Sequence, residues 1–301
     1  MGTAIPTRAR KDAIAGTPYG AYTGTSSESV EYPAIGATSG IGANVNPPKA
    51  ATVVVGGFPT AVVSRSGLAS LMVGQCLSAR DAGEDWMPKL VFSSNGQGIA
   101  LAGRDQRFAQ VMSHADIIHA DGMPVVLASR LTRTPLPERI CTTDFFHDAA
   151  RAAVKEGLRF FMLGGSDELN RKVVNEIQRQ YPGLQIVGRH HGYFDPEDDD
   201  AVCEMIRNSR ADVVWVALGK PRQEEWSHRN REKLAGVGWI KTCGGLYSYI
   251  TGEVSRAPRW MQLSGLEWAY RSAREPGRLS WRYLTTNPYA ALRLVMRTHS
   301  A

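Results

Sequence analysis

Residues 159–183 read RFFMLGGSDELNRKVVNEIQRQYPG, and this stretch decides the fold class. The apolar run at 160–163 has the length and composition of a buried strand, and Gly164-Gly165 end it in a turn. Ser166-Asp167 then suit a helix N-cap, and Pro182-Gly183 end the helical pattern. The apolar positions of this helix are Leu169, Val173, Val174 and Ile177. The stretch therefore predicts one strand–turn–helix unit.

The same alternation runs on both sides of this unit. Further strand-like runs lie at 51–57 (ATVVVGG), 89–96 (KLVFSSNG), 115–122 (ADIIHADG), 211–219 (ADVVWVALG) and 236–245 (GVGWIKTCGG). Helical patterns separate them, including one over 66–83 and a single one over 99–115. Because crossovers between parallel strands are right-handed, the pattern predicts a doubly wound, mostly parallel, Rossmann-like α/β domain over residues 51–255.

The two ends of the chain differ from this domain. Residues 1–50 are rich in Gly, Ala, Ser, Thr and Pro without a sustained apolar period, which predicts a flexible tail. Residues 256–301 predict a helical segment of two or three short helices, interrupted at Pro258, Pro276-Gly277 and Pro288. No run approaches the roughly 20 apolar residues that cross a bilayer. The four cysteines lack CxxC spacing and are interpreted as buried free thiols.

The positive charge of the chain belongs to its C-terminal segment. Lys and Arg number 35 against 29 Asp and Glu, an excess of six, and residues 256–301 alone hold eight Arg against two Glu. Arginines recur there every three or four residues among tryptophans and tyrosines, at Arg271, Arg274, Arg278 and Arg282. Such a stripe suits a membrane surface with anionic lipid or lipid diphosphate, and equally the phosphates of nucleic acid.

Two glycine-containing loops are candidate donor-binding elements. The Gly164-Gly165 turn opens a helix whose N-terminal N–H groups suit a phosphate, although a bare tight turn explains it as well. The loop after the strand at 211–219 carries Lys220 and Arg222 for a diphosphate and Gln223 for a sugar or base. The predicted donor-binding set is completed by Gly244 and Gly245, at the end of the last strand.

Asp121 is the candidate for proton transfer. It follows a strand directly, where open α/β sheets bind ligands, and such a carboxylate can accept a proton from a sugar hydroxyl. An ordinary Asp-Gly turn is the alternative. Ser93 and Asn95 end the neighbouring strand and are predicted to face the same crevice, with helix capping as their alternative role.

No metal site is predicted. The acidic run at 195–200 leads into a helix, where carboxylates favour the positive end of the helix dipole, and His190-His191 lack a third ligand. Neither GxGxxG, GxxxxGK[ST] nor GxSxG occurs, so nicotinamide-dependent oxidoreductases, P-loop enzymes and serine hydrolases lack support.

Taken in order, ADGMPVVLASRL, ERICTTDFF, FFMLGG, ADVVWVALGKPRQEEW and RAPRWMQLSGLEWAYRSAREPGRLSWRYL resemble the WecG/TagA/CpsF family, glycosyltransferase family 26. The resemblance covers roughly residues 51–285. Two departures stand out: Ser93 replaces the family's usual Thr, and Thr142 replaces the Gly of a Gly-Thr-Asp.

The resemblance implies an inverting, metal-independent transferase without a cofactor, acting in cell-surface or exopolysaccharide assembly. It would move a hexose-type sugar from a UDP-sugar to a polyprenyl-diphosphate-linked sugar at the cytoplasmic face of the membrane, as a peripheral protein. Asp121 would be the base. The C-terminal segment would close over the site, and its diphosphate-binding arginines would be Arg256, Arg259, Arg271, Arg274 and Arg278. Nucleic acid is not an expected partner, homo-oligomerisation is left open, and a nucleic-acid-binding protein or an oxidoreductase remains as an alternative.

Overall fold

A computed structural model describes residues 51–274 and 276–300 of the chain. The predicted tail at 1–50 lies outside these residues, and the side chains of Arg278, Leu279 and Arg282 are not described. The strands are β1 (Thr52–Val55), β2 (Phe58–Ala61), β3 (Lys89–Ser94), β4 (Ile117–Ala120), β5 (Arg159–Gly164), β6 (Gln185–His190), β7 (Val213–Ala217) and β8 (Trp239–Thr242).

Twelve α-helices accompany these strands in the described part of the chain. They are α1 (Arg65–Ala82), α2 (Gly96–Arg104), α3 (Gln106–Ser113), α4 (Met123–Ser129), α5 (Thr142–Glu156), α6 (Asp167–Gln180), α7 (Asp199–Asn208), α8 (Arg222–Arg229), α9 (Leu246–Ile250), α10 (Arg259–Leu263), α11 (Glu267–Arg274) and α12 (Arg278–Met296).

Six strands form one parallel sheet in the order β4-β3-β8-β7-β5-β6. Apolar side chains from alternate positions of its central strands enter two separate clusters, one on each face. One contains Phe92, Val214 and Ile240, and the other contains Val91, Trp215 and Trp239. The predicted doubly wound α/β fold is confirmed.

The first predicted strand does not join this sheet. β1 pairs with β2 in an antiparallel hairpin across Gly56 and Gly57, whose φ angles are +62° and +94°. Two consecutive residues at positive φ are what a two-residue hairpin turn requires. The hairpin also meets the C-terminus, since Val54 and His299 exchange backbone hydrogen bonds of 3.2 and 3.0 Å.

The single helix predicted over 99–115 is also corrected. It divides into α2 and α3 at Asp105, which ends the first helix and caps the second by accepting a 3.1 Å hydrogen bond from the Phe108 N–H. An aspartate forms this cap because its short carboxylate competes with the backbone for hydrogen bonds.

The C-terminal segment is helical, as predicted, but Pro288 does not interrupt it. α12 runs for 19 residues through this proline. It packs along α2, with Ala290 and Leu294 buried, and the Tyr289 hydroxyl donates to the Gly103 carbonyl at 3.0 Å. Tertiary packing thus outweighs the local cost of proline in a helix.

Two further properties follow from the described residues. All four cysteines are buried free thiols, as predicted. Of the helices within 51–274 and 276–300, none combines the length and apolar character needed to cross a membrane.

The amino-terminal edge of the sheet is held by Asp212, which lies before β7 and is 3% exposed. Its carboxylate accepts hydrogen bonds from the Arg80 guanidinium of α1 at 2.6 and 2.8 Å and from that of Arg159 at 3.0 and 3.1 Å. Burial alone would raise the pKa of Asp212, but the bonds from the two arginines lower it below its ordinary value. One carboxylate therefore links α1, β5 and β7.

We expect Asp212→Asn to lower the free energy of unfolding at pH 7 by about 3 kcal/mol, since it leaves two guanidinium groups without their counter-charge. Because the native pKa is lowered, the contribution is complete above the ordinary pKa of an aspartate and is lost as pH falls through the native value. Urea unfolding should show the difference from wild type shrinking below about pH 4. The exposed Asp81→Asn serves as control; an equal loss in both variants would contradict this role.

Candidate active site

The predicted site residues lie along the carboxyl edge of the parallel sheet. From β3 the chain continues to β4 on one side of the sheet, and from β5 it continues to β6 on the other side. The chain thus leaves β3 and β5 in opposite directions across the sheet. The carboxyl ends of these two strands, and of β8 and β7 between them, therefore border a crevice, which is where open α/β sheets bind ligands.

Asp121 lies at this edge, next to the N-terminus of α5. Its backbone N–H donates to the Ser94 carbonyl at 2.9 Å, which continues the pairing of β4 with β3. Its carboxylate accepts a 3.3 Å hydrogen bond from the Thr142 N–H and a 3.2 Å bond from the Thr142 hydroxyl. The N-terminus of α5 and the hydroxyl thus orient the half-buried carboxylate. Thr142, where the family usually has Gly, is the residue that contacts the proposed base.

Ser93 and Asn95 lie on the strand beside Asp121. Ser93 is paired in register with His119, and it is 6% exposed. The side-chain oxygen of Asn95 accepts a 3.0 Å hydrogen bond from the Gly98 N–H and so caps α2. The capping alternative is therefore real for Asn95, whereas a catalytic role for either residue stays a prediction.

The Gly164-Gly165 turn is required by close packing. Gly164 has a φ of +125°, and a Cβ there would lie 2.3 Å from the Ala217 carbonyl oxygen of β7. Gly165 has a φ of +68°, and its carbonyl accepts a 2.7 Å hydrogen bond from the Gly192 N–H. The ends of β5 and β7 and the loop after β6 therefore meet backbone to backbone, while donor binding by this turn stays a prediction.

The loop after β7 contributes to both sides of the crevice. The Lys220 ammonium lies 2.9 Å from the Glu224 carboxylate and donates to the Ser93 carbonyl at 3.2 Å. Gln223 accepts a 3.0 Å hydrogen bond from the Gly244 N–H and donates to Glu224 at 2.9 Å. Lys220 therefore contacts β3, the strand beside Asp121, whereas Gln223 contacts the turn after β8. Glu224, which is fully buried, was not among the predicted site residues.

Arg222 points away from these groups. Its guanidinium donates to the Phe194 carbonyl and lies 5.2 Å from the centre of the Phe194 ring. Arg222 is thereby placed against the loop that follows β6. Gly245, another predicted donor-binding residue, is exposed at the turn after β8.

Arg139 joins the C-terminal segment to the loop that carries Asp121. Its guanidinium donates to the Asp121 carbonyl at 2.9 Å, to the Gln262 carbonyl at 3.2 Å and to the Glu267 carboxylate at 2.7 Å. Sequence reasoning did not select Arg139, although it lies in the quoted ERICTTDFF motif.

The predicted diphosphate-binding arginines differ in their surroundings. Arg256 is engaged inside the protein, 2.7 Å from the Asp144 carboxylate. Arg259 is exposed at the start of α10. Arg271 lies 5.8 Å from the Tyr249 ring, and Arg274 donates to the Tyr270 hydroxyl at 3.1 Å; both line a small cavity with Glu253 and Ser255. The side chain of Arg278 lies outside the described part of the structure.

Two fully buried ionisable groups lie beneath the crevice and were not predicted. Lys241 of β8 has no exposed surface, and burial lowers its pKa to about 8. His119 of β4 is equally buried, and burial, followed by the charge of Lys241, lowers its pKa well below its usual range. A lysine inside the apolar run GVGWIKTCGG was the available sequence signal.

The described residues provide no cluster of metal ligands. Across 51–274 and 276–300 no three His, Cys, Asp or Glu side chains are grouped to hold a metal ion. Asp199, in the acidic run, instead accepts hydrogen bonds from Trp226 at 3.0 Å and from Asn230 at 2.9 Å. Metal independence of the reaction stays a prediction.

Comparison with known proteins bears on this site. Residues 55–300 match the model of the "Glycosyl transferase WecG/TagA/CpsF family", which confirms the resemblance. A protein of Bacillus subtilis (strain 168), named N-acetylglucosaminyldiphosphoundecaprenol N-acetyl-beta-D-mannosaminyltransferase, is 35% identical over 206 residues, which is 67% of this chain and 77% of the relative. A protein of the same name from Bacillus spizizenii is 34% identical over 190 residues, 62% of this chain and 71% of the relative.

The packing at the Gly164 turn predicts different behaviour for two of the glycines. We expect Gly164→Ala to lower the free energy of unfolding by about 2 kcal/mol or more, because the new Cβ meets a backbone carbonyl at an unfavourable φ. Gly245 has a φ of −81°, and the nearest atom to a Cβ there is 4.0 Å away. Gly245→Ala should therefore stay within about 0.5 kcal/mol of wild type. Chemical denaturation measures both, and equal stabilities would contradict the packing argument.

Proposed function

The chain belongs to the WecG/TagA/CpsF glycosyltransferase family, and from that premise we propose that it is an inverting transferase using a UDP-sugar donor. Its acceptor is a sugar carried on a polyprenyl diphosphate, the acceptor class named for the two Bacillus relatives. The donated sugar is of the hexose type. N-acetylmannosamine is the first donor to test, because it is the sugar that those relatives' names specify.

The observation that carries this proposal is the placement of Asp121. Its carboxylate lies at the crevice edge, and its loop is bonded through Arg139 to α10 and α11. Asp121 accepts the proton of an acceptor hydroxyl while that oxygen bonds to the anomeric carbon of the donor. The bond from this carbon to the diphosphate oxygen breaks, and UDP leaves from the opposite face with its electron pair. The reaction therefore inverts the anomeric configuration.

The departing UDP needs positive charge in place of a metal ion. Lys220 lies at the crevice, and Arg271 and Arg274 line a cavity of the C-terminal segment. Cations fixed before the reaction stabilise a leaving diphosphate without reorganising during it. We include these three residues in the diphosphate-binding set, together with Arg259 and Arg278.

The acceptor is a lipid, and we propose that the C-terminal segment binds the membrane surface from the cytoplasmic side. Trp260, Trp268 and Trp281 are 63%, 43% and 69% exposed, beside the exposed Leu263 and Leu284. Indole rings between arginines favour the headgroup region of an anionic bilayer. This surface, Trp260 to Leu284, is called the aromatic surface below.

Asp121→Asn is expected to reduce turnover by about 10²- to 10⁴-fold, because the amide cannot accept the hydroxyl proton. The assay measures UDP released from a panel of UDP-sugars, with a polyprenyl-diphosphate-linked N-acetylglucosamine acceptor in detergent and with EDTA present. The surface variant Asp200→Asn is the control.

Three outcomes are informative. Turnover with one donor in EDTA, lost in Asp121→Asn alone, supports the proposal and identifies the sugar. Equal activity in both variants leaves the transferase but removes Asp121 as its base. No turnover with any donor, combined with oligonucleotide binding by the basic segment, would favour the nucleic-acid alternative.

The aromatic surface predicts a separate phenotype. Replacing Trp260 and Trp281 together by Ala should weaken binding to vesicles containing phosphatidylglycerol by about tenfold or more, since two large apolar side chains no longer insert. Vesicle flotation measures this binding. Met205→Ala, which removes a 45% exposed apolar side chain on α7, is the control. Unchanged flotation of the double variant would contradict membrane binding through this surface.

A further inference from the structure

The helix after β7 begins with a glutamate that is fully buried. Glu224 lies in the first turn of α8, and its side chain has no exposed surface. A carboxylate in a first helical turn is favoured by the helix dipole whether or not it is buried. The adjacent Glu225 lies in the same turn and is only half-buried. The burial of Glu224 therefore needs a reason other than helix stability.

One oxygen of Glu224 binds two partners from its own loop. Its Oε1 lies 2.9 Å from the Lys220 ammonium and accepts a 2.9 Å hydrogen bond from the amide nitrogen of Gln223. The other oxygen, Oε2, is buried without a partner among the described residues. A buried carboxylate is costly unless its bonds compensate for lost water. The contribution of Glu224 thus lies in the two groups that Oε1 holds.

The first of these groups is the ammonium of Lys220, which reaches across the sheet. Lys220 follows β7, but its ammonium donates to the Ser93 carbonyl of β3 at 3.2 Å, and β8 lies between these two strands. The ammonium also packs against α2 and α3, since a Cβ on Gly98 would lie 3.4 Å from Nζ and the centre of the Phe108 ring is 5.6 Å away. An ammonium has three N–H donors. Glu224 and Ser93 accept from two of them, which leaves the third for an anion.

The second group is the side-chain amide of Gln223, which is 2% exposed. Its nitrogen donates to Glu224, and its oxygen accepts a 3.0 Å hydrogen bond from the Gly244 N–H in the turn after β8. The orientation of this amide is determined by its partners, because the nitrogen has to face the carboxylate and the oxygen has to face the N–H. Gln223 therefore links Glu224 to the backbone of the turn after β8.

We propose that Glu224 is a positioning residue for the donor diphosphate. Its Oε1 holds the ammonium of Lys220 beside β3 and, through Gln223, orients the turn that contains Gly244. A lysine side chain has many rotamers, and holding its ammonium before the ligand arrives means that this entropy is not lost on binding. The proposal rests on the proposed function, in which Lys220 binds the diphosphate of the donor.

Two other roles of Glu224 predict different behaviour of its variants. A counter-charge would need the negative charge of Glu224 and not its acceptor oxygen. An acid that stabilises the helix would be equivalent to Glu225. Glu224→Gln keeps an acceptor oxygen and removes the charge, and Glu224→Met removes both at similar volume. Glu225→Met is the matched control in the same helical turn.

The first experiment measures the affinity of the full chain for UDP by calorimetry and for uridine by ligand-observed NMR. Glu224→Met is expected to weaken UDP binding by about tenfold or more, because the ammonium that meets the diphosphate is no longer held. Uridine lacks the diphosphate, so its affinity should change by less than about twofold. Glu224→Gln should bind UDP within about threefold of wild type or more tightly, since its carbonyl oxygen still accepts both bonds. Glu225→Met should match wild type.

A double variant tests whether the effect acts through Lys220. Lys220→Met should weaken UDP binding as much as Glu224→Met does, and combining the two should add less than about threefold, because each removes the same held ammonium. The double variant also covers the case in which Glu224→Met does not fold, since replacing both members of a buried ion pair is tolerated better than replacing one. Additive losses would contradict the proposal.

A second experiment requires no ligand. Hydrogen exchange is followed by mass spectrometry in the peptide that contains the turn after β8, where the Gly244 N–H donates to Gln223. Exchange at Gly244 should be about tenfold faster in Glu224→Met, and faster in the double variant than in Lys220→Met. Glu224→Gln should exchange as wild type does.

Several outcomes would overturn the proposal. They are UDP binding by Glu224→Met equal to that of wild type, equal weakening of UDP and uridine, and an equal loss in Glu225→Met. A loss in Glu224→Gln as large as in Glu224→Met would assign the effect to charge and would overturn it as well. Absence of UDP binding by wild type would instead count against the proposed function, and hydrogen exchange would still decide whether Glu224 holds the turn.

Discussion

The insertion of β8 between β3 and β7 is the constraint on which the site depends. β3 and β7 are not hydrogen-bonded to each other, and each pairs in parallel with β8. The last strand in the chain therefore joins the half of the sheet that carries Asp121 to the half that carries the Gly164 turn. The two halves can border one crevice only if their strand ends are aligned. The pairing of both β3 and β7 with Trp239–Thr242 of β8 sets this alignment. The buried Lys241 lies on this same strand, at the junction of the halves.

The position of β8 also determines where the C-terminal segment begins. Because the chain leaves the sheet at its centre, the residues after Gly245 start at the crevice and not at an outer edge. Arg256 then reaches Asp144 in the first turn of α5, and Arg139 holds the segment again at Gln262 and Glu267. Two ion pairs and one hydrogen bond to a backbone carbonyl thus fix α10 and α11 beside the proposed base. Such charge-assisted bonds are stronger and more directional than ordinary ones.

Local patterns predicted the elements of the fold well, because apolar periodicity reports which face of a strand or helix is buried. The strand–helix alternation and the position of Asp121 after a strand followed from it, and the scattered spacing of the cysteines predicted free thiols. Pairing between distant segments does not appear in such patterns. The hairpin of β1 and β2, the continuation of α12 through Pro288 and the contact of Gly164 with Ala217 depend on packing that only the folded chain brings together. Arg139 escaped selection for a similar reason, since its partners Asp121, Gln262 and Glu267 lie in other elements.

The proposed donor diphosphate would need cations beyond those that the strand ends alone supply. Among the described residues at the strand ends, the Lys220 ammonium is already paired with the Glu224 carboxylate at 2.9 Å. Arg222, the remaining cation of the loop after β7, is turned towards Phe194. The pair of Lys220 and Glu224 is thus neutral, and a diphosphate placed above it would add negative charge in surroundings of low polarity, which is costly unless further cations balance it. In the proposed function these further cations come from the C-terminal segment, whose helices α10 and α11 are held beside Asp121 by Arg139 and Arg256. The proposed base and most of the proposed leaving-group cations would then lie on separate parts of the fold, the carboxyl edge of the sheet and the C-terminal helices.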